Sequence, residues 1–261
     1  MKKNNFPLVS VIMNCYNGEK FLKKSVTSLL NQNYKKWELI FWDNKSQDKS
    51  KKFILSFKDK RIRYFQASRL TSLYAARNLA IKQARGKFIC FLDTDDWWIK
   101  SKLSIQVKLI KKNTKIKFIY SNLYLYDQEK KIKKIFSKKK LPSGQITQNL
   151  LDDYKIGILS VMISKNFFRK KKFNSNYNII GDFDFFLKLS IQENFYCIQK
   201  PLAYYRVHSR NYSKNYDLYY TEFNKWLKLN SSRLKKLNYS LKKVNFLNYK
   251  LKIKKFFHLG P

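Results

Sequence analysis

"LVSVIMNCYNGEKFLKKSVTSLLNQ", residues 8–32, opens on a short β-branched run, crosses the polar turn "CYNGE", and continues with Leu22, Val26, Leu29 and Leu30 at helical spacing. That is a strand followed by an amphipathic helix, and the pair recurs. "WELIFWDN" (37–44) reads as a second strand ending on a carboxylate, and "SQDKSKKFILSFK" as a second helix. "RIRYFQA" reads as a third strand, "LTSLYAARNLAIKQARG" as a third helix closed by Gly86, and "KFICFLDTDD" as a fourth strand that again ends on acid. Such alternation predicts an α/β fold on a Rossmann-like, mostly parallel sheet with helices on both faces. In these sheets ligands bind beyond the carboxyl ends of the strands. Asp43 and the acids from Asp93 to Asp96 are thereby brought to one edge.

After residue 115 the rhythm changes. "KIKFIYSNLYLYDQEKKIKKIF" reads as two strands around a polar turn, with Asp127 to Lys131 at its tip. "IGILSVMIS" reads as a further strand, and "GDFDFFLKLSIQE" as a short helix with Phe183, Phe186 and Leu187 on one stripe. "NFYCIQ" and "PLAYYRV" read as two more strands, and from residue 217 the chain reads as helical. With no repeat and no long linker, residues 1–215 form one unit, with halves 1–115 and 116–215. Residues 216–261 follow as a basic helical extension.

A 44% apolar share of 261 residues is enough for a real core, and 17% aromatic content excludes ordinary disorder. The formal charge of +39, from 56 Lys and Arg against 17 Asp and Glu, invites a nucleic-acid or anionic-membrane partner. All but nine of the basic residues are Lys, however, and Asn, Ile, Phe and Tyr are abundant beside it. AT-rich codons specify that whole set, so compositional drift is the preferred source of the charge. Lys is also a weaker choice than Arg for bidentate phosphate recognition. Cys15, Cys90 and Cys197 are odd in number and far apart, which indicates neither a disulfide framework nor a zinc site. They suit a reducing, cytoplasmic compartment. The first apolar run is too short and too soon interrupted for a signal peptide, and nothing later approaches a spanning helix. Any membrane contact is expected to be peripheral.

"CFLDTDDWW" (90–98) crowds three carboxylates into four positions. One acid suffices to cap the helix around "SKLSIQVKLI". Three would repel one another unless a cation neutralised them, and alternate oxygen ligands on a tight turn suit a hard divalent ion that also takes phosphate oxygens.

"VSVIMNCYNGEKFLKKSVTSLLNQNYKKWELIFWDNKSQD", "AARNLAIKQARGKFICFLDTDDWW" and "GDFDFFLKLS", in that order, resemble the successive signatures of family 2 glycosyltransferases of the GT-A fold. The resemblance covers about residues 7 to 210 and is strongest over the first hundred. It implies that Asp43 accepts a hydrogen bond from a nucleotide base, with Asn44, Ser46 and Asp48 shaping the loop around it. Asn44 stands where many relatives have a second Asp. By the same resemblance Asn17 lies where backbone contacts the nucleotide, and Arg77 and Asn78 lie near it; otherwise Arg77 pairs on a helix surface. Asp93 is implied on ribose or metal and Asp95 on a manganese or magnesium ion bridging the diphosphate. Asp96 is expected to be a structural cap.

The transfer also needs a base to take the acceptor's proton. The resemblance locates it in an acidic pair at a helix start, here "GDFDFF": Gly181 replaces the expected Glu, and Asp182 keeps the base position. Asp184 lies about 200° further round the helix and cannot face the same hydroxyl. "YYRVHSRN" follows where relatives often have Tyr-Arg-x-His. His208 is implied as a secondary metal ligand and Arg206 as a phosphate contact. Asp152 and Asp153 read as the end of a helix.

The reading is then an inverting, metal-dependent transferase that moves a sugar from a nucleotide donor to a glycan or lipid-linked acceptor in cell-surface polysaccharide or lipopolysaccharide synthesis. The alternative from another class is a nucleic-acid-binding module using the Lys surface with interleaved aromatics. The enzyme needs Asp43, Asp93, Asp95 and Asp182 in one cleft, whereas the module gains nothing from acid there. A nucleotidyltransferase is disfavoured by the single Gly of "CYNGEK". In the extension, Leu227, Leu234, Leu237, Leu241, Val244 and Leu251 form one helical stripe amid lysines, with Phe246, Phe256 and Phe257 nearby. That stripe lies either on an anionic membrane or on the catalytic domain.

Overall fold

The computed structural model describes residues 6–209 and 211–257. Residues 258–261 of the basic extension lie outside them. β1 (Val9–Cys15), α1 (Glu19–Leu30), β2 (Trp37–Asp43), α2 (Ser50–Leu55), β3 (Ile62–Gln66), α3 (Leu73–Gln83) and β4 (Phe88–Phe91) alternate as the periodicities require. There follow β5 (Trp97–Trp98), α4 (Lys102–Lys112), β6 (Phe118–Ser121), β7 (Tyr124–Asp127), β8 (Ile132–Ile135), α5 (Thr147–Asp152) and β9 (Met162–Ser164). The chain closes with α6 (Phe167–Lys170), α7 (Gly181–Ser190), β10 (Tyr196–Ile198), β11 (Ala203–Val207), α8 (Tyr216–Lys236) and α9 (Lys242–Phe257).

The main sheet has the order β10-β6-β9-β4-β1-β2-β3. β1 pairs parallel to both β2 and β4, and Cys15 lies opposite Asp43, so the strand ends carrying acid share one edge. The chain moves outward from β1 to β3 and then returns to the other side of β1 as β4. That reversal of strand order is where such sheets open a crevice for ligands. Side chains alternate between two cores. Ile12, Ile40, Ile89 and Phe91 pack with α3 and α7, while Val11, Met13, Leu39, Phe41 and Cys90 pack with α1 and α4. Burial on both faces explains why these strands read as near-continuous apolar runs.

A second sheet has the order β5-β11-β7-β8. Trp97 and Trp98 pair antiparallel with Tyr204 and Ala203. That register carries Arg206 and His208 alongside Asp95 and Asp96, although more than a hundred residues separate them.

Three expectations need correction. Gly86 does not close α3, which ends at Gln83 with Ala84 as its cap. A Cβ at Gly86 would meet the Ser10 nitrogen at 2.6 Å and the Leu8 oxygen at 2.7 Å, so glycine is required there for close approach to β1. "KIKFIYSNLYLYDQEKKIKKIF" holds three strands, with β6 in the main sheet and only β7 and β8 forming the hairpin. "IGILSVMIS" splits into a 3-10 turn (Ile158–Ser160) and β9, which runs antiparallel to β4 and β6 and makes the sheet mixed. Of the two placements left open for the leucine stripe, the one found is on the catalytic domain. Phe223, Trp226, Leu227 and Leu234 of α8, with Leu241, Val244 and Leu251, are buried in the same core as α7. Each such side chain contributes about 1.5–3 kcal/mol on full burial, and one core runs across residue 215. Leu237 alone of the stripe is exposed.

Candidate active site

A cleft of about 490 Å³ opens over the ends of β1 and β4, with Asn14, Asn44, Arg77, Asp93, Asp95 and Asp182 on its walls. A larger groove of about 760 Å³ beside α1 is lined by Lys20, Lys24, Trp97 and Arg206 but by none of the acids. Asp93, Asp95 and Asp182 thus share the smaller cleft.

Two loops are laced together at its rim. The Asn17 N–H donates to Ser46 Oγ at 3.0 Å, and Asn17 Oδ1 accepts from the Gln47 N–H at 2.8 Å. Asn17 holds a left-handed backbone, φ 53°. Asp48 accepts from the Glu19 and Ser50 N–H groups, and Glu19 accepts in return from the Lys49 N–H. Asp43 is only 1% exposed and is not on the cleft wall. Its carboxylate accepts from the Ser46 N–H at 2.7 Å and the Tyr64 hydroxyl at 2.8 Å, so it anchors the loop from beneath. Asn44 ties down the segment before α3 by bonding both ways with Thr71. Asn78 is likewise off the wall, because its amide donates to and accepts from the Phe173 backbone.

Arg77 is 2% exposed, which removes the helix-surface alternative. Its guanidinium donates to both Asp93 oxygens, at 2.8 and 3.0 Å. Asp95 Oδ2 lies 3.0 Å from His208 Nε2, and Phe21 packs against that imidazole with ring centroids 4.9 Å apart. Arg206 Nε donates to the Asp95 carbonyl at 2.6 Å. Asp96 caps no helix; it accepts from the Arg206 N–H at 2.9 Å, binding β11 to the acidic turn. Burial, followed by the charges of Asp95 and Asp93, pushes the Asp96 carboxyl well above its usual range. Asp152 and Asp153 end α5 as expected.

Asp182 opens α7 on the opposite wall. Its Oδ1 accepts from the Tyr74 hydroxyl at 3.0 Å and the Phe183 N–H at 2.8 Å, and its Oδ2 accepts from the Tyr154 hydroxyl at 3.2 Å. A carboxylate oxygen has two acceptor sites. Oδ1 is filled, whereas Oδ2 keeps one site open. Burial raises the Asp182 carboxyl above its usual range, against the opposing pull of Arg77 and the three donors. Both tyrosines, their own hydroxyls raised by burial and by Asp182, stay protonated as donors.

Asp184 faces elsewhere, accepting from the Trp226 indole N–H at 2.9 Å and pairing with Lys188. Glu222 of α8 accepts from the N–H groups of Asn178, Ile179 and Ile180, the turn that leads into Asp182. Tyr74, Tyr154 and Glu222 escaped the sequence reading. Tyr74 had a signal, since it precedes Arg77 by three residues and so shares its helix face. Asn14 was also missed; its side-chain amide has no hydrogen-bond partner at the cleft.

Among the described residues no three His, Cys, Asp or Glu side chains gather as a metal-ligating set. Two suffice for an ion that keeps waters and takes diphosphate oxygens. Asp95 and His208, their Oδ2 and Nε2 atoms 3.0 Å apart, are the two side chains that would hold such an ion.

A mixed, mostly parallel sheet with Asp93, Asp95 and Asp182 converging beyond its strand ends defines an enzyme of the GT-A type; a nucleic-acid module has no use for acid in a cleft. The family model for glycosyl transferase family 2 matches residues 10–181, and the chain belongs to that family of sugar transferases. It is 34% identical over 184 residues to the Escherichia coli UDP-Glc:alpha-D-GlcNAc-diphosphoundecaprenol beta-1,3-glucosyltransferase WfgD, covering 70% of this chain and 69% of that protein. It is 31% identical over 162 residues to the putative teichuronic acid biosynthesis glycosyltransferase TuaG of Bacillus subtilis, covering 61% and 63% of the two. The fold is similar to that of S. aureus TarS 1-349 in complex with UDP-GlcNAc. The TM-score is 0.66 at 17% identity, over 84% of this chain and 66% of that one.

Proposed function

We propose that this chain transfers the sugar of a nucleotide-sugar donor, with inversion, to a lipid-linked or glycan acceptor, and that Asp182 is its base. The observation that carries the reading is the open acceptor site on Asp182 Oδ2, across a cleft from Asp93 and Asp95. Oδ2 takes the proton of the acceptor hydroxyl while that oxygen bonds to the anomeric carbon. The bond from that carbon to the diphosphate breaks on the opposite face, and the electron pair leaves with the nucleoside diphosphate. A single displacement needs no second nucleophile. Tyr74 and Tyr154 fix the carboxylate plane throughout.

Asp95 and His208, with Asp93 beside them, are the residues that would hold a manganese or magnesium ion. When bound, such an ion offsets the charge of the departing diphosphate. WfgD is named for a UDP-glucose donor and a diphosphoundecaprenol-linked acceptor, and TuaG for teichuronic acid biosynthesis. Those names favour a UDP-sugar donor, a polyprenyl-diphosphate-linked acceptor and a role in cell-surface polysaccharide synthesis at the cytoplasmic face of the membrane. No helix among the described residues is long and apolar enough to cross a membrane. A panel of nucleotide sugars with manganese or magnesium, followed by thermal stabilisation and by nucleotide release with a polyprenyl-diphosphate sugar, tests the reading. At least one donor is expected to stabilise the protein and to yield a product of inverted anomeric configuration, with turnover lost in excess chelator. No stabilisation by any donor, or a retained configuration, would overturn it.

A further inference from the structure

The buried side of α9 is Val244 and Leu251, seated in the core. At about 100° per residue, Phe246, Tyr249, Ile253, Phe256 and Phe257 fall within about 100° of one another on the opposite side. All five are exposed, Phe256 and Phe257 at 76% each. The helix is therefore apolar on two faces, of which the domain uses one. Tyr220 of α8 extends the outer patch.

What borders the outer stripe identifies its partner. Lys243 and Lys250 lie along one edge and Lys252 along the other, all exposed, and α9 contains no acidic residue. Lys250 lies over the Phe246 ring at 4.4 Å, which leaves its charge at the stripe. Contiguous exposed aromatics rimmed by cations suit a surface whose outer layer is anionic and whose interior is apolar. A second copy of this chain fits poorly, because each copy would bring the same lysines and a formal charge of +39.

We propose that α9 docks this protein on an anionic lipid bilayer through Phe246, Tyr249, Ile253, Phe256 and Phe257, with Lys243, Lys250 and Lys252 on the headgroups. The sequence left the leucine stripe either on a membrane or on the domain, with Phe246, Phe256 and Phe257 nearby; the core takes the stripe and leaves those rings outside. The leucine stripe faces the core, and the opposite face of the last helix meets the lipid. Docking on the outer face leaves α8 in place behind Asp182.

The test is sedimentation of the full chain with phosphatidylglycerol vesicles, and with phosphatidylcholine vesicles, at low and high salt. Binding is expected to the anionic vesicles and to weaken with salt. A Phe246→Ser, Phe256→Ser, Phe257→Ser variant is expected to keep its melting temperature, since it empties no core, and to bind at least 10-fold less tightly, because even partial burial of three rings in lipid supplies that much. A Lys243→Gln, Lys250→Gln, Lys252→Gln variant is expected to bind about 100-fold less tightly, at about fivefold per near-surface cation. Undiminished binding by the aromatic variant overturns the proposal. So does a full-length protein that ignores vesicles but self-associates through these rings. Donor and acceptor are absent from the assay, so its failure leaves the transferase reading untouched.

Discussion

Tyr74 and Gly181 occupy one space: any side chain at 181 would run into the Tyr74 ring, whose hydroxyl donates to Asp182 Oδ1 at 3.0 Å. Gly181 thus leaves the room that a tyrosine arriving from α3 takes up. Gly181→Ala gains less than the ~1 kcal/mol of helix propensity of an interior position, since it opens α7, and overpacks the site by about 1–3 kcal/mol. A net loss of stability is expected by urea unfolding. In the Tyr74→Ala background the same change is expected to become neutral or stabilising; equal effects in both backgrounds would mean the two residues are independent.

The raised Asp182 carboxyl gives kcat a pH dependence. Only the ionised form accepts a proton, so kcat rises with pH through a midpoint above that of an ordinary aspartate, about 3.9. Tyr154→Phe removes a hydrogen bond that favours the ionised form, which moves the midpoint to higher pH. A pH-rate profile of both proteins checks this, and a downward or absent shift would count against the pairing.

Glu222 holds three N–H groups at the entry to α7. Glu222→Ala leaves them without an acceptor, at an expected cost of about 3 kcal/mol in urea unfolding. Because that turn positions Asp182, kcat is expected to fall while donor affinity is kept. A variant of unchanged stability would show that water replaces the carboxylate.

Asp93→Asn leaves the Arg77 guanidinium buried without its counter-charge. Fully buried pairs broken this way lose about 3–5 kcal/mol; with Asp93 30% exposed on its side chain, about 2 kcal/mol is expected. Thermal unfolding without ligand separates this loss from any effect on donor binding.

The alternating half of the fold was legible because strand and helix periods change abruptly at "CYNGE" and "DNKSQD", and because acids end the second and fourth strands. The direction of β9 was not, since a short apolar run reads the same parallel or antiparallel. Asp95 and His208 could be nominated separately, but only the pairing of Trp97 with Tyr204 brings them to 3.0 Å. The family resemblance selects Asp182 over Asp184, helical angle showing only that the two cannot face one hydroxyl, and the Trp226 bond to Asp184 agrees with that choice. Tyr154 and Glu222 reach the site from distant segments that carry no local pattern. Asp43 lay at the foreseen strand end, but Tyr64 and Ser46 each bond one of its carboxylate oxygens, which no spacing foretells.

The central assignment is tested by Asp182→Asn, which keeps the side-chain volume and replaces the proton acceptor with an amide. Donor affinity, measured by calorimetry with the nucleotide sugar that stabilises the protein most, is expected to stay within about threefold, and kcat to fall by ~10²-fold or more. Asp184→Asn, measured beside it, is expected to lower stability through Trp226 while leaving kcat within about threefold. A full kcat in Asp182→Asn, or a collapse of kcat in Asp184→Asn alone, would contradict the assignment of the base.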